Sequence, residues 1–424
     1  MDEKEIAYIL LRFPSVTETF VAEEIRRIRG LGRQVSIYSL LPPKPGPIHP
    51  VSAELQSVVR NAPALYAPAL WLAQLSSMFR HPQIYSHLLR TLLTQPSSSI
   101  SIYLKRLVIF LKSVWLSETM LKRQIQSIHT HFAWLSAASA AIVSVLIQRP
   151  YTLTTHAFDI YSSKSDLFRW TTDAADRLIT ISDYNKRAML DKNTSLTASK
   201  IHVIRCGVDL DAFRPVPDRR IGEIIQLTSV GSLIEKKGHV FLIRACRELK
   251  TWGIRFHCVI IGEGPLEPSL RALIHELDVQ DEVVLVGRQK QTKVRERLGQ
   301  TDIFVLACLV TQDGDRDGIP VAIMEAMAMG VPVISTPVTG IPELIQHETT
   351  GLLTPEQDAR QLAEAILRLS QDPSLHEKLS HQGRMMIEQN YDIRKNVNQL
   401  LAVFQQVGEQ REKDVTGLIE RKAD

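Results

Sequence analysis

Short apolar runs that end in glycine or a polar turn, each followed by a stretch of helical pattern, recur along this chain in two series. The first holds EIAYILL from Glu5, a helical pattern over 18–30, QVSIYSL from Gln34, IQSIHTHF over 125–132, YTLTT over 151–155 and RLITIS over 177–182. The second holds IIQLTSVG over 224–231, FHCVIIG over 256–262, VVLVG over 283–287, DIFVLA over 302–307 and VPVIST over 331–336. Alternation of this kind predicts α/β domains built on parallel sheets. A chain of 424 residues exceeds what one core usually organises, so two such domains with a cleft between them are expected. The connector 201–215, a strand running through Gly207 into a proline-punctuated loop, sets the predicted division: 1–207, 208–390 and a helical tail over 391–424. Within the first domain, 64–125 reads as a helical insert broken at His81-Pro82 and Gln95-Pro96.

Composition excludes several classes. The chain is 44% hydrophobic and 23% charged, as folded globular proteins are. A net charge of +4 with no run of Lys and Arg gives no sign of a nucleic-acid partner. Cys206, Cys246, Cys258 and Cys308 lie scattered in apolar runs, which fits reduced core thiols better than a disulfide framework or a zinc site. The opening MDEKEIAYILLRF puts acidic residues ahead of a short apolar stretch, the wrong order for a secretory signal, and no apolar run reaches a bilayer's span. A cytoplasmic protein is expected, with any membrane contact peripheral.

Three segments carry chemistry. In DRDGIPVAIMEAMAMGVPVIST, 315–336, Pro320 opens and Gly330 closes a short helix. Its N-terminus follows Asp317, Gly318 and Ile319 at the carboxyl end of a strand, an arrangement suited to a diphosphate. Glu325 is the only charge on that helix, and burying it is costly without a hydroxyl or amide partner, which a ribose diol would supply. In SVGSLIEKKGHVFLIRACREL, 229–249, a strand ends at Gly231 and a helix starts after Gly238, leaving Lys237 as a point charge for a leaving diphosphate. In VIIGEGPLEPSLRALI, 259–274, Gly262 and Gly264 let a ligand approach the backbone. Taken alone, Lys237 also fits a surface lysine, and GEGP says little.

In this order and spacing the segments resemble the donor domain of glycosyltransferase family 4, which has the GT-B fold, its colanic-acid and exopolysaccharide members above all. The matching positions are Gly231-Ser-Leu-Ile-Glu-Lys-Lys237-Gly238, Gly262-Glu-Gly-Pro265 and Asp317-Gly-Ile-Pro-Val-Ala-Ile-Met-Glu325-Ala-Met-Ala-Met-Gly330-Val-Pro-Val333. The likeness continues in TETF (17–20), HTHF (129–132), THAFD (155–159) and CGVD (206–209). It implies two Rossmann-like doubly wound domains facing an interdomain cleft, the first binding the acceptor and the second a nucleotide-sugar, with the C-terminal helix crossing back to the first.

The implied reaction is a retaining, metal-independent hexosyl transfer in which the leaving phosphate helps deprotonate the acceptor, with a UDP- or GDP-sugar as donor and no cofactor. By the resemblance His156, Asp317 and Lys237 are catalytic. The donor is held by Gly231, Ser232, Lys237, Gly262, Gly264, Gly318, Ile319, Pro320 and Glu325. Thr17, Glu18, His131 and Asp159 are acceptor-side candidates. His129 and His131 alternate along a strand, and one can face the core. Asp313 and Asp315 tempt a metal reading, but magnesium needs convergent oxygens that such a run does not supply by itself.

The chain departs from the family twice. Ser232 replaces the usual arginine, removing a diphosphate cation worth about 2 to 4 kcal/mol, for which Arg205 and Arg316 are candidate replacements. Asp317 stands where glutamate is common. The implied acceptor is a saccharide or a polyprenyl-linked saccharide. The helix over 102–123, with Lys105, Arg106, Lys112, Lys122 and Arg123, fits an anionic membrane surface at the inner face of the plasma membrane, and equally a core-facing helix. The alternative for the whole chain is a degenerate member acting as a binding partner or scaffold, with Ser232 as its motive.

Overall fold

The computed structural model describes residues 5–15, 19–44, 50–96, 99–161, 167–216 and 221–420. It contains two parallel sheets. The first is built from β1 (Glu5–Arg12), β2 (Val35–Leu41), β3 (Val59–Asn61), β4 (Ile125–His131), β5 (Tyr151–Thr155), β6 (Arg177–Thr180) and β7 (Ile201–Val203). The second is built from β8 (Ile225–Val230), β9 (Phe256–Ile261), β10 (Val283–Leu285), β11 (Ile303–Leu306), β12 (Val333–Ser335) and β13 (Leu352–Leu353). Their orders are β3-β2-β1-β4-β5-β6-β7 and β10-β9-β8-β11-β12-β13. Both are the doubly wound Rossmann-like order expected from the alternating pattern. Inner strands read as near-continuous apolar runs because helices cover both faces; β1, for example, is buried from Glu5 to Leu10. The edge strands β3 and β13 escape the sequence pattern, being three and two residues long.

The chain divides into two units, one of residues 1–181, 186–204 and 397–424, the other of 182–185 and 205–396. In the first, the helix Leu135–Ile147 is rich in Ala and Ser and almost wholly buried, small side chains allowing it close to the sheet. The long helix Ile393–Glu420 contributes its residues from Val397 onward to this unit, and Phe404 lies against His129. In the second unit the helix His239–Thr251 buries Leu242, Ile243, Cys246 and Leu249. None of the four cysteines forms a disulfide.

The helical insert forms as the prolines indicate, as Pro68–Arg80, Pro82–Thr94 and Ile100–Met120. Of the two readings of 102–123, the structure favours the core-facing helix. Arg106 is fully buried and donates to the carbonyls of Gln95 (2.5 Å) and Pro96 (2.9 Å). Lys112 is buried and donates to the Leu40 carbonyl at 2.7 Å, and Arg123 pairs with Glu5 at 2.7 Å. Those three cations tie the helix into the fold; Lys105 and Lys122 remain exposed. The unusual surface is on the neighbouring helix Pro68–Arg80, whose inward positions include Gln74 and Ser77 while Trp71, Leu72, Leu75, Met78 and Phe79 face outward. Leu70 and Ala73 also face inward, but most of its large apolar side chains lie on the exposed side.

In each sheet the winding direction reverses at one place, between β1 and β4 and between β8 and β11. The carboxyl ends of strands at such a reversal are where doubly wound sheets bind ligands. The Lys237–Asp317 cluster described below follows β8 and β11, and His131 stands at the end of β4.

Candidate functional site

In the second unit, the loop after β8 is locked by backbone contact with the loop after β9. The Gly231 amide donates to the Ile261 carbonyl at 3.0 Å, the Leu233 amide to the Glu263 carbonyl at 3.0 Å and the Leu266 amide to the Leu233 carbonyl at 3.1 Å. A Cβ on Gly262 would lie 1.9 Å from the Gly231 carbonyl oxygen, so the close approach admits only glycine. Gly238 then starts the helix at φ +65°, with space for a Cβ filled by the Ala307 carbonyl at 1.7 Å. Held from both sides, Lys237 reaches Asp317 at 2.6 Å. Burial acts to lower the Lys237 pKa, but Asp317, Cys308 and Asp315 outweigh it and the net shift is upward, so the ammonium is kept. Lys236 joins the cluster, 3.0 Å from Asp315 and 3.7 Å from Asp317.

The loop carrying Asp317 is fixed by Thr339, whose hydroxyl donates to the carbonyls of Asp317 (2.6 Å) and Gly318 (2.7 Å). The helix Val321–Ala328 follows, with Pro320 as its N-cap rather than its first residue and no side chain capping it. The amides of Gly318 and Ile319 donate to no group among the described residues. Free amides, a helix N-terminus and two ammonium groups therefore converge, which is what an anion requires.

Glu325 lies one turn along that helix. It keeps some surface, yet burial pushes its carboxyl up to about 7, with Gln291 and Arg295 opposing. The Gln291 amide is a poor partner at 3.4 Å. A carboxylate so placed gains from hydroxyl donors brought by a ligand.

In the first unit, histidines from β4 and the end of β5 form a buried network. His129 is satisfied within the sheet, its ring nitrogens 2.8 Å from the Thr152 hydroxyl and 3.2 Å from that of Thr154. His131 is hydrogen-bonded through Nδ1 to Nε2 of His156 at 3.1 Å and through Nε2 to Glu24 at 3.1 Å. The same Glu24 oxygen accepts from the Tyr8 hydroxyl at 2.7 Å. Glu24, His129 and His131 are the one group of potential metal ligands that comes together among the described residues, yet the ring nitrogens of both histidines are engaged by hydrogen-bonding partners. Phe132 adopts φ +70°, at a cost of roughly 1 to 3 kcal/mol for a non-glycine residue, and its ring lies 4.6 Å from that of His156. Phe20 covers the same imidazole at 4.9 Å.

Comparison with known proteins fits this geometry. The model of Glycosyltransferase Family 4 matches residues 17–212, and that of Glycosyl transferases group 1 matches 219–386. The putative colanic acid biosynthesis glycosyltransferase WcaL of Escherichia coli K12 is 32% identical over 379 residues, which cover 87% of this chain and 91% of that protein. The chain belongs to glycosyltransferase family 4. The amylovoran biosynthesis glycosyltransferase AmsK of Erwinia amylovora is 46% identical over 174 residues, 41% of this chain and 43% of AmsK. Among solved structures, a glycosyltransferase from Rickettsia africae superposes with TM-score 0.70 at 17% identity over 96% of this chain and 99% of that one. Anabaena Alr3699/HepE, in complex with UDP and glucose, gives 0.69 at 15% identity over 95% and 99%. At such identities the likeness establishes the GT-B fold.

For this family member, the residues singled out in the second unit gather at the ends of β8, β9 and β11. Ser232 is exposed beside them. Neither candidate for the missing arginine is free to replace it by default: Arg205 lies 3.2 Å from Glu343 and 3.4 Å from Asp183, and Arg316 donates to the Gly314 carbonyl at 3.0 Å. Lys236, next to Lys237 in sequence, is the second cation of the cluster and was missed, although the Lys-Lys pair is its signal. The Asp313 and Asp315 carboxylates turn to Thr311 and Lys236 respectively.

In the first unit Thr17 and Glu18 lie outside the described residues. Asp159 is fully buried and accepts from the His156 amide at 2.9 Å, which makes it a support for the histidine's backbone. Burial pushes its carboxyl up to about 7 against the hydrogen bonds of His156 and Ala133 and the charge of Lys192. Glu24 and Tyr8, which sequence reasoning passed over, complete the histidine network.

Proposed function

We propose that the protein is a retaining transferase that moves a sugar from a nucleoside-diphosphate sugar to a saccharide or lipid-linked saccharide during exopolysaccharide assembly. The observation that carries the donor class is the convergence of Lys236, Lys237 and the free Gly318 and Ile319 amides at the start of a helix whose Glu325 lacks a good partner. The amides and ammonium groups take the diphosphate, Glu325 takes the ribose hydroxyls, and Asp317 turns from Lys237 to the sugar. Lys236 supplies the cation that Ser232 does not. His156 contributes a neutral imidazole: burial first, then His131, holds its pKa well below the ordinary value.

In the proposed step the bond from the anomeric carbon to the diphosphate breaks, the acceptor oxygen bonds on the same face, and its proton passes to the departing phosphate oxygen. No metal is needed where amides and lysines carry the leaving charge. The polysaccharide assignment is supported by the names of the relatives, colanic acid and amylovoran biosynthesis. Contact with a membrane is supported by the outward Trp71, Leu72, Leu75 and Phe79, an apolar face that water alone does not favour. Sedimentation with anionic lipid vesicles tests it, and undiminished binding by a Leu72→Ser/Phe79→Ser variant rejects that face.

The deciding experiment is thermal stabilisation by UDP, GDP, ADP and CMP, each with and without EDTA. One nucleoside diphosphate raising the Tm in both conditions supports the proposal and names the base. A shift abolished by EDTA rejects metal independence, and no shift with any nucleotide favours the scaffold alternative.

A further inference from the structure

The network behind His156 determines more than its position. Tyr8 is buried, and burial together with the Glu24 charge keeps its hydroxyl protonated far above neutral pH, so it donates to Glu24 Oε1. A carboxylate oxygen can only accept, so the second contact to that oxygen, from His131 Nε2 at 3.1 Å, places a hydrogen on Nε2. With that hydrogen on Nε2 as the ring's single one, His131 Nδ1 keeps a bare lone pair. His156 Nε2, 3.1 Å away, must carry the hydrogen between them. The remaining nitrogen of His156, Nδ1, is left with its lone pair and has no partner among the described residues.

We propose that Glu24 and His131 are positioning residues that hold His156 as its Nε2–H tautomer, so that Nδ1 faces the substrate as a hydrogen-bond acceptor for a sugar hydroxyl. The inference deepens the role given to His156 above and rests on that reading for the identity of the hydroxyl, though not for the tautomer. The relay is directional because it starts at a group that cannot donate. One additional proton would make His131 a double donor, force His156 to accept at Nε2 and turn its Nδ1 into a donor, reversing what the sugar meets. The ring itself cannot swing to compensate, lying between Phe20 and Phe132 and stacked on His131 with centroids 5.4 Å apart. The charged and titratable groups around it are Glu24, His131 and His129, with Asp159 at its backbone amide and Lys192 beyond Asp159. The His129 ring nitrogens are taken up by its two threonines, so it meets the relay through ring packing and charge and not through a hydrogen bond.

The test uses full-length protein labelled with 15N-histidine and long-range proton–nitrogen correlation spectra at pH 7.5, the His156 signals being assigned by their loss in His156→Gln. The expected wild-type pattern is a protonated Nε2 and an unprotonated Nδ1. In Glu24→Gln, whose amide can present an N–H in place of the carboxylate, the pattern should become a mixture of tautomers. The same variant should lower kcat by about 10- to 100-fold while leaving the affinity for the nucleoside diphosphate within about twofold, because that ligand is held by the other unit. Glu24→Gln and His131→Phe should be non-additive, the double variant being no slower than the worse single one, since both act through one nitrogen. A wild-type His156 protonated on Nδ1 or on both nitrogens overturns the proposal, as does an unchanged tautomer in Glu24→Gln. Full activity in His156→Gln alongside the expected spectra would instead reject the role of His156 in transfer and leave the relay standing.

Discussion

Glu325 carries a folding cost that can be measured. Its carboxyl titrates at about 7 in the fold against an ordinary 4.5. At about 1.4 kcal/mol per unit the gap corresponds to roughly 3 kcal/mol, and the solvent the residue still meets reduces this to about 2 kcal/mol. The sign follows from proton binding: the folded state holds this proton more tightly than the unfolded chain. With respect to this group, stability is therefore greatest below pH 4.5, declines as pH rises and is fully lost once pH passes 7. Glu325→Gln keeps the shape and the neighbour Gln291 but removes the charge. The variant should be about 2 kcal/mol more stable than wild type at pH 8, and the advantage should vanish near pH 4.5. Its affinity for the nucleoside diphosphate should fall about 10- to 100-fold, amide hydrogen bonds to a diol being weaker than carboxylate ones. Urea unfolding at the two pH values, with hydrogen exchange read on peptides from β8, β9 and β11, measures the first effect and calorimetric titration the second. A variant no more stable than wild type at pH 8 would refute the argument that a carboxylate is held there without adequate partners.

Other perturbations reach the rest of the site. Lys237→Ala should abolish transfer and also destabilise the protein by about 2 to 4 kcal/mol, because Asp317 is left without its 2.6 Å partner; chemical denaturation checks this. Lys236→Ala should keep the fold, its nearer partner Asp315 being more open than Asp317, and weaken nucleoside diphosphate binding about tenfold at low salt, as calorimetry would show. Gly238→Ala should fail to give stable protein, since its Cβ would meet the Ala307 carbonyl at 1.7 Å, and normal thermal stability would contradict that contact. His239 titrates at about 4 through burial and then the charge of Lys237. Its depressed pKa removes stability as pH falls from 6.5 toward 4, at up to about 1.4 kcal/mol per unit, and His239→Gln should flatten that part of the stability profile.

The two units differed in how much the chain disclosed. In the second unit each cluster draws on contiguous stretches, 231–238, 262–265 and 315–325, so each carries a local motif, and the family resemblance brought the motifs together. Gly238 and Gly262 mark themselves because only glycine survives those backbone contacts. In the first unit the relay takes Tyr8 from β1, Glu24 from the helix Thr19–Gly30, His131 from β4 and His156 from the end of β5. Groups drawn from separate strands leave no local pattern: the resemblance singled out His131 and His156, while Tyr8 and Glu24 carried no signal.

The helical insert shows a different limit, since there the residue types were legible and their direction was not. The Lys and Arg over 102–123 fitted a solvated basic face and a core-facing helix equally, and burying a guanidinium is tolerable only where acceptors such as unpaired backbone carbonyls receive its N–H groups. The Gln95-Pro96 break leaves two such carbonyls at the foot of the helix, and Arg106 takes both. The Leu40 carbonyl plays the same part for Lys112 at the end of β2. With its cations drawn inward, the insert meets solvent through Lys105 and Lys122 and through the apolar side chains of Pro68–Arg80. That pairing gives the vesicle experiment its sign. Binding driven by the exposed lysines would fall steeply with salt, whereas binding driven by Leu72, Leu75 and Phe79 would persist at high salt and be lost with their truncation, and the outward apolar surface predicts the second result.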